Sequence, residues 1–296
     1  MSGSFSFYNQ LKVGYVCIFS LKNPSYPEYI CKASSGIISF DIHPSHPHMI
    51  VVGLYNGNVA VYNLRTDCSA PCFSSSAASG KHQDVVWQVR WVQDNLDGYL
   101  NFYSVAGDGR VTNWTIVKVS FVESIVVYMI ISLFQTSLWH SDKLLLKYPK
   151  KLTIGDGLAE HLVDAPRCIA FKPDDENIFI VGTEEGDIYL ATTEFSTEFL
   201  MKYTGHSTPI NSVMWNPYYS SVFLSCASEY TVNVWHKDFP SPLVMYDLGS
   251  QVGDIAWAPY SSTVFAAVTI DCRVLVFDLT LNKYSPVCNQ VNMIDT

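Results

Sequence analysis

The chain has 296 residues, 48% of them hydrophobic and 14% aromatic, so it can bury a large core and is not disordered throughout. Only 15% are charged, which disfavours coiled coils and charged helical bundles and suits strand-rich proteins, where aromatic and β-branched side chains pack well. The net charge of −9, with no basic run longer than Lys150-Lys151, argues against an electrostatic grip on nucleic acid or anionic membrane lipid.

In chain order, the first recognisable element is a fragment at 5–20. There Gly14, Val16, Ile18 and Phe19 read as the turn and final strand of a unit that starts earlier. Five fuller units follow, near 36–65, 85–117, 165–195, 205–237 and 250–280. Each opens on an apolar stretch ending in a bulky slot: Ile42, Trp91, Phe171, Trp215, Trp257. Two residues earlier stand Phe40, Val89, Ile169, Val213 and Ile255, a period of two that predicts a strand. Pro44, Pro173, Pro217 and Pro259 end that strand, because proline cannot donate to the ladder; the second unit has Gln93 instead.

A second apolar run comes next in every unit: Met49–Val52, Leu100–Val105, Ile178–Val181, Val222–Cys226 and Val264–Val268. It leads to a turn dipeptide: Asn56-Gly57, Asp108-Gly109, Glu185-Gly186, Glu229-Tyr230 or Asp271-Cys272. The first two predict type I′ hairpin turns, with φ positive at both central residues. A third run ends in a last slot held by Tyr62, Trp114, Ala191, Trp235 and Phe277. From first slot to last slot the separations are 20, 23, 20, 20 and 20 residues. Three of the last-slot spacings fall at the ~40–45 residues of a four-stranded propeller blade. The physical logic is that each unit is a small antiparallel sheet with two apolar faces, which only stacking can bury.

The segments between units read differently. Ser69–Gly80 has the composition of an exposed linker. Val119–Gln135 fits no blade, and three readings stand side by side: a membrane span, for which the uncharged stretch Ser124–Leu138 is short; a buried strand or core helix; or an in-frame retained intron. The third is favoured. Val119-Ser120 could be encoded by a donor-like GTGAGT and Phe134-Gln135 by an acceptor-like TTTCAG, and the unit spacing shortens when the segment is removed. Uniform retention in mature message would contradict it.

The repeats resemble the WD-repeat family. The fourth unit carries Gly205-His206 and Trp235, the second Ser104, Asp108 and Trp114, and the fifth Asp271 and Phe277-Asp278. The resemblance implies an all-β fold: an incomplete WD-repeat β-propeller of a seven-bladed family, with five full units plus the end of a preceding one. In that family a His, a turn Asp, a Ser/Thr and the Trp form a structural hydrogen-bonded network. The positions matching it here, with the repeat's turns and slots, are Asn56, Gly57, Asp108, Gly109, Trp114, Gly186, His206, Trp215, Trp235, Trp257, Asp271 and Phe277. No unit shows the whole set, and the fourth has Glu229 at the Asp position.

Several longer strings are more specific: Phe19-Ser20-Leu21-Lys22-Asn23-Pro24, Gly57–Leu64, Gly80-Lys81-His82 with Val86–Val89, Val181–Gly186, and above all Val252–Thr269. Together they resemble the dynein intermediate chains, the axonemal outer-arm type most closely. That resemblance implies a non-catalytic scaffold whose propeller binds a dynein heavy chain, in company with another intermediate chain and light chains. It implies association with microtubules through the complex and a place in the cytoplasm, cytoskeleton and ciliary or flagellar axoneme. By it the sequence begins inside the propeller, and Leu281–Gln290 opens a further blade. The alternatives are a cytoplasmic dynein intermediate chain, a generic WD-repeat scaffold, or a propeller enzyme or small-ligand binder using a central channel.

Chemistry has little support from motifs. There is no G-x-S-x-G, P-loop, H-E-x-x-H or G-x-G-x-x-G, so no catalytic residue, cofactor site or metal site is assigned. His43, His46 and His48 in HPSHPH read as a solvated loop, as do Asp174, Asp175 and Glu176. The eight cysteines form no CxxC pair and read as small hydrophobes in a reducing compartment. Trp87 reads as strand packing, and His206 as a structural histidine.

Overall fold

The alternating runs become antiparallel strands, each paired with its neighbour in sequence. A computed structural model describes residues 13–66, 68–75, 81–92, 98–121, 124–130, 143–145, 147–149, 161–163, 165–193 and 199–291. Every regular element among them is a strand, and no helix is long and apolar enough to cross a membrane. The chain divides into two compact units, Met1–Leu144 and Leu145–Thr296.

In the first unit, β1 (Gly14–Ile18) pairs with β2 (Tyr29–Ala33). A four-stranded meander follows: β3 (Ile37–Ile42), β4 (Met49–Leu54), β5 (Val59–Asn63) and β6 (Phe73–Ser74). The next comprises β7 (Val86–Trp91), β8 (Leu100–Ala106), β9 (Arg110–Phe121) and β10 (Ser124–Ile130). Three short strands come after it: β11 (Lys143–Leu145) at the division between the units, and β12 (Lys147–Pro149) and β13 (His161–Val163), paired with each other, in the second unit.

The second unit holds three further meanders. The third blade is β14 (Pro166–Lys172), β15 (Asp175–Thr183), β16 (Ile188–Thr192) and β17 (Met201–Tyr203). The fourth is β18 (Ile210–Trp215), β19 (Val222–Ala227), β20 (Thr231–His236) and β21 (Val244–Asp247). The fifth is β22 (Val252–Trp257), β23 (Val264–Thr269), β24 (Arg273–Asp278) and β25 (Cys288–Val291).

The core lies between neighbouring sheets. Val51, Val59 and Val61 of the first blade pack on Val86, Val89 and Trp91 of the second. Ile180 and Ile188 meet Ile210, Val213 and Trp215, and Leu224 and Val232 meet Val252, Ile255 and Trp257. The middle strands are therefore buried on both faces, which is why they read as continuous apolar runs. Burial of each such side chain contributes about 1.5–3 kcal/mol. Some slots are open instead: Phe40 is 58% exposed, Ile42 47% and Phe19 53%.

Four expectations change. Ser69–Gly80 is not all linker, since Phe73 and Ser74 form the outer strand of the first blade and buried Ser75 accepts the Val59 amide at 2.9 Å. Leu281–Gln290 does not open another blade, because Cys288–Val291 pairs with β24 as the outer strand of the fifth. These outer strands are short and mostly polar, so they carry no alternation to read. The turns are not type I′. Gly57 and Gly109 have φ of +80°, whereas Asn56 and Asp108 do not have positive φ. The Gly57 amide reaches the Leu54 carbonyl at 3.2 Å, which makes a tight turn closed by one left-handed residue, the glycine-bulge hairpin. Finally, His43 is buried rather than solvated. Its Nδ1 accepts the amides of Ser45 (3.1 Å) and His46 (3.0 Å), as Asn216 Oδ1 accepts those of Tyr218 and Tyr219 in the fourth blade.

The described part of the 119–135 segment is extended. Val119–Phe121 continue β9, and Ser124–Ile130 fold back on it with Val126 opposite Val119. Residues 122, 123 and 131–135 lie outside the described residues, as do 5–12 of the partial unit, Gln93, and 76–80 of the serine-rich stretch.

The fifth blade makes its turn with Cys272 at φ +63°, where the first three blades use Gly57, Gly109 and Gly186. A side chain in that region costs about 1–2 kcal/mol. Cys272→Gly is expected to raise stability by about 0.5–1 kcal/mol, read as a higher urea midpoint with an unchanged slope.

Candidate functional site: hydrogen-bonded networks inside the blades

Two blades carry a buried, connected chain of polar side chains. In the fourth, the loop after β17 delivers His206, β19 delivers Ser225, the β19–β20 turn delivers Glu229, and β20 delivers Trp235. Trp235 Nε1 donates to Ser225 Oγ at 2.8 Å. Ser225 Oγ lies 2.6 Å from His206 Nε2, and His206 Nδ1 lies 2.7 Å from Glu229 Oε1. Glu229 also receives the Thr231 hydroxyl at 2.7 Å and the Ser207 hydroxyl at 2.8 Å. A carboxylate can only accept, so the imidazole proton belongs on Nδ1 and the serine proton points to Nε2. Indole, hydroxyl, imidazole and carboxylate thus form one directional chain, in which each bond polarises the next.

The second blade repeats it. Trp114 Nε1 donates to Ser104 Oγ at 2.7 Å, and Ser104 Oγ is 2.7 Å from His82 Nε2. His82 Nδ1 faces Asp108 at 3.2 and 3.3 Å. The expectation that no unit carries the whole set is therefore corrected: the second does. Sequence reading missed His82 as the fourth member. The signal was a histidine 26 residues before the turn Asp108, against 23 from His206 to Glu229.

The fifth blade keeps only a remnant. Thr269 donates its hydroxyl to Asp271, Arg273 Nε meets Asp271 at 2.5 Å, and Phe277 fills the tryptophan slot. The Thr269 and Arg273 donors hold the Asp271 carboxyl below its ordinary range. In the third blade Ala191 fills the slot, and Asp187 pairs with Lys202 at 2.6 Å. In the first, Asn56 Oδ1 accepts the Asn58 amide, and Tyr62 donates its hydroxyl to the Lys32 carbonyl at 2.7 Å.

Each tryptophan of the networks stacks on a second-strand phenylalanine that sequence reading did not single out. Trp114 lies 6.1 Å from Phe102 at 12°, Trp235 5.9 Å from Phe223 at 7°, and Phe277 4.9 Å from Phe265 at 8°. The first-slot rings Trp91, Trp215 and Trp257 pack edge-on to those phenylalanines. Their indoles donate across to the preceding blade, to the carbonyls of Asp41 (3.1 Å), Ala170 (3.1 Å) and Met214 (3.2 Å). Tyr203 and Tyr246 make the same kind of tie, to Lys237 (2.6 Å) and Lys283 (2.8 Å). Trp87 is half-buried.

The turns of one blade brace the network of the next. A Cβ on Gly57 would meet the His82 carbonyl oxygen at 2.4 Å, and one on Gly186 the His206 carbonyl oxygen at 2.7 Å. Gly186 also has φ +91°.

Serine, histidine and carboxylate in this order match the relay of a hydrolase. A nucleophile, however, needs access to a substrate carbon. Ser104 and Ser225 are fully buried, and each hydroxyl oxygen already receives an indole N–H. The relay here binds strands together. Among the described residues, no group of three or more His, Cys, Asp or Glu sits close enough to hold a metal ion.

Burial pushes the His206 imidazole below its ordinary 6.5, against the opposing pull of Glu229. Burial pushes the Glu229 carboxyl up, but the Thr231, His206 and Ser207 donors outweigh it and leave the group below 4.5. For Asp108, burial is likewise outweighed by the His82 and Gln83 donors and by the charges of His82 and Arg110, leaving it below 3.8. All three groups bind fewer protons folded than unfolded, so each contributes stability at neutral pH that is lost on acidification. The loss begins as pH falls below 6.5 through His206 and deepens below 4.5 through Glu229. Urea midpoints measured across that range are expected to fall in two stages, and a midpoint that rises on acidification would contradict the assignment.

These meanders and networks match the WD-repeat β-propeller fold class, and the family description "WD domain, G-beta repeat" matches residues 197–236, which hold the fourth-blade network. The fold resembles that of the computationally designed Ika8 protein, with a TM-score of 0.57 at 18% identity, over 87% of this chain and 62% of that one. The sequence is 46% identical over 289 residues to the dynein axonemal intermediate chain 1 of Bos taurus, covering 97% of this chain and 39% of the relative. It is 41% identical to the ciliary dynein intermediate chain 2 of Heliocidaris crassispina, with the same coverage, and 35% identical to the 78 kDa intermediate chain of the flagellar outer arm dynein of Chlamydomonas reinhardtii. The resemblance to axonemal dynein intermediate chains carried by the repeat wording is thereby borne out, as is the WD-repeat fold class. The chain spans about two fifths of the length of these relatives.

Proposed function

We propose that the protein is a non-catalytic scaffold of the axonemal outer dynein arm, binding a dynein heavy chain and supporting motor assembly and ciliary or flagellar motility. The observation that carries this reading is likeness over 97% of the chain to axonemal and ciliary intermediate chains. The burial of the relay serines supports a holding role over a reacting one. A second intermediate chain and light chains complete the complex, and microtubule association is indirect, through that complex. The place of action is the axoneme.

The test is affinity capture of the tagged protein from ciliary and from cytosolic extract. Axonemal dynein heavy chain is expected from the first, enriched over the cytoplasmic heavy chain. Recovery of cytoplasmic heavy chain alone would assign the chain to the cargo-linking motor, and recovery of neither would overturn the dynein reading.

A further inference from the structure

The cysteines are not all inert filler. In the β1–β2 pair, Val16 stands opposite Cys31 and Cys17 opposite Ile30. Side chains alternate across a strand, so Cys31 and Cys17 project from opposite faces. Cys31 points inward, 1% exposed, into the apolar cluster of Ala33, Ile50, Leu54 and Tyr62. Cys68, on the loop that follows β5, packs against that same cluster. Its Sγ lies 3.9 Å from the carbonyl oxygen of Ile30, the peptide that leads into Cys31. Cys68 is half-buried, so it is the accessible member of the pair. Cys72 is on the same loop, but its Sγ is engaged with the Thr66 hydroxyl at 3.7 Å. In the present state all of these cysteines are free thiols.

We propose that Cys31 and Cys68 are a thiol modification site that closes to a reversible disulfide when a small disulfide oxidant of the glutathione type is present, tethering β2 to the loop of the first blade. In the first step the Cys68 thiolate attacks one sulfur of oxidised glutathione. A Cys68–glutathione bond forms, the glutathione disulfide breaks, and one glutathione leaves as thiolate and takes up a proton. In the second, Cys31 loses its proton to solvent and attacks the Cys68 sulfur, and the second glutathione leaves. Two protein thiols are oxidised, and one glutathione disulfide is reduced to two thiols.

Burial, reinforced by Cys68 and Cys17, pushes the Cys31 thiol up to about 12. The thiolate is the attacking form, so this closing step is the slow one and quickens about tenfold per pH unit near neutrality. The bond would join segments that the reduced protein ties through the Tyr62–Lys32 hydrogen bond. A cross-link of this span adds heat stability, read as a rise of about 5 °C in the unfolding midpoint.

The experiment treats the full chain with oxidised glutathione at mildly alkaline pH, blocks the remaining thiols, and maps peptides without reduction. The expected product is a Cys31–Cys68 cross-linked peptide with the loss of two hydrogens, reversed by a dithiol reductant. Cys31→Ser is expected to stop at glutathione on Cys68. Cys68→Ser is expected to leave Cys31 reduced over the same time and to abolish the rise in unfolding midpoint. Because Cys68 lies half-buried on a loop, that variant tests the pair without disturbing the core. Cys17→Ser is expected to change nothing. A dominant link from Cys17 to either partner, a Cys68–Cys72 link, or a wild-type chain that halts at the mixed disulfide with Cys31 free would overturn the assignment.

Discussion

Trp235→Ala is expected to destabilise the protein by about 4 kcal/mol, among the largest effects any single substitution should have here. The side chain is fully buried, stacks on Phe223, meets Tyr203 edge-on, and donates to Ser225. Truncation removes the ring contacts and leaves a cavity. It also removes the donor that orients Ser225 toward His206, so the rest of the relay loosens with it. Trp235→Phe separates the two contributions. It keeps most of the stack and loses one buried hydrogen bond, for an expected cost of about 1–2 kcal/mol. The fifth blade already works with Phe277 in this slot, stacked on Phe265. Urea denaturation of the three proteins reads the difference, and an equal loss for both variants would mean that the hydrogen bond, not the stack, dominates.

Gly186→Ala is expected to cost about 2–3 kcal/mol, from left-handed backbone strain of about 1–2 kcal/mol together with a backbone clash. The added Cβ would approach the carbonyl oxygens of His206 at 2.7 Å and Thr208 at 3.0 Å. Neither is the end of a flexible side chain, so the third-blade turn and the fourth-blade network must separate. Gly249→Ala is the control. It has φ +67° but nothing within 4 Å of the new methyl, so only the strain remains, about 1 kcal/mol. If the two variants lost equal stability, the turn of one blade would not be bracing the histidine of the next.

Most of the fold was legible because the repeat reports it five times. Slots such as Trp91, Trp215 and Trp257 stand 23, 20 and 20 residues before Trp114, Trp235 and Phe277, and each pair sits in one blade, one ring tied to the preceding sheet and one stacked inside its own. The outer strands were not legible. Phe73–Ser74 and Cys288–Val291 are held mainly by backbone pairing and have little apolar face to announce them. His43 was misread because it opens the proline- and histidine-rich stretch HPSHPH, which resembles a surface loop. Its ring instead packs edge-on to Trp91, at 4.8 Å, and caps the turn that it enters. His82 was overlooked because its partners lie 22 to 26 residues later, across a loop, so only the fold brings them together. Turn chemistry was half right. The glycines are required, but Asp108 is held by His82 and the Arg110 amide rather than by a left-handed backbone.

Amide hydrogen exchange on the intact chain tests the central claim most directly: that stacked meanders shelter one another, with networks locking their middle strands. Exchange tracks the free energy of local opening. The account predicts the slowest amides in the doubly covered pairs β4–β5, β8–β9, β15–β16, β19–β20 and β23–β24, recurring blade after blade. The outer strands β6, β17, β21 and β25 should exchange far faster. Rapid exchange through those middle pairs, or protection that ignores the repeat, would contradict it.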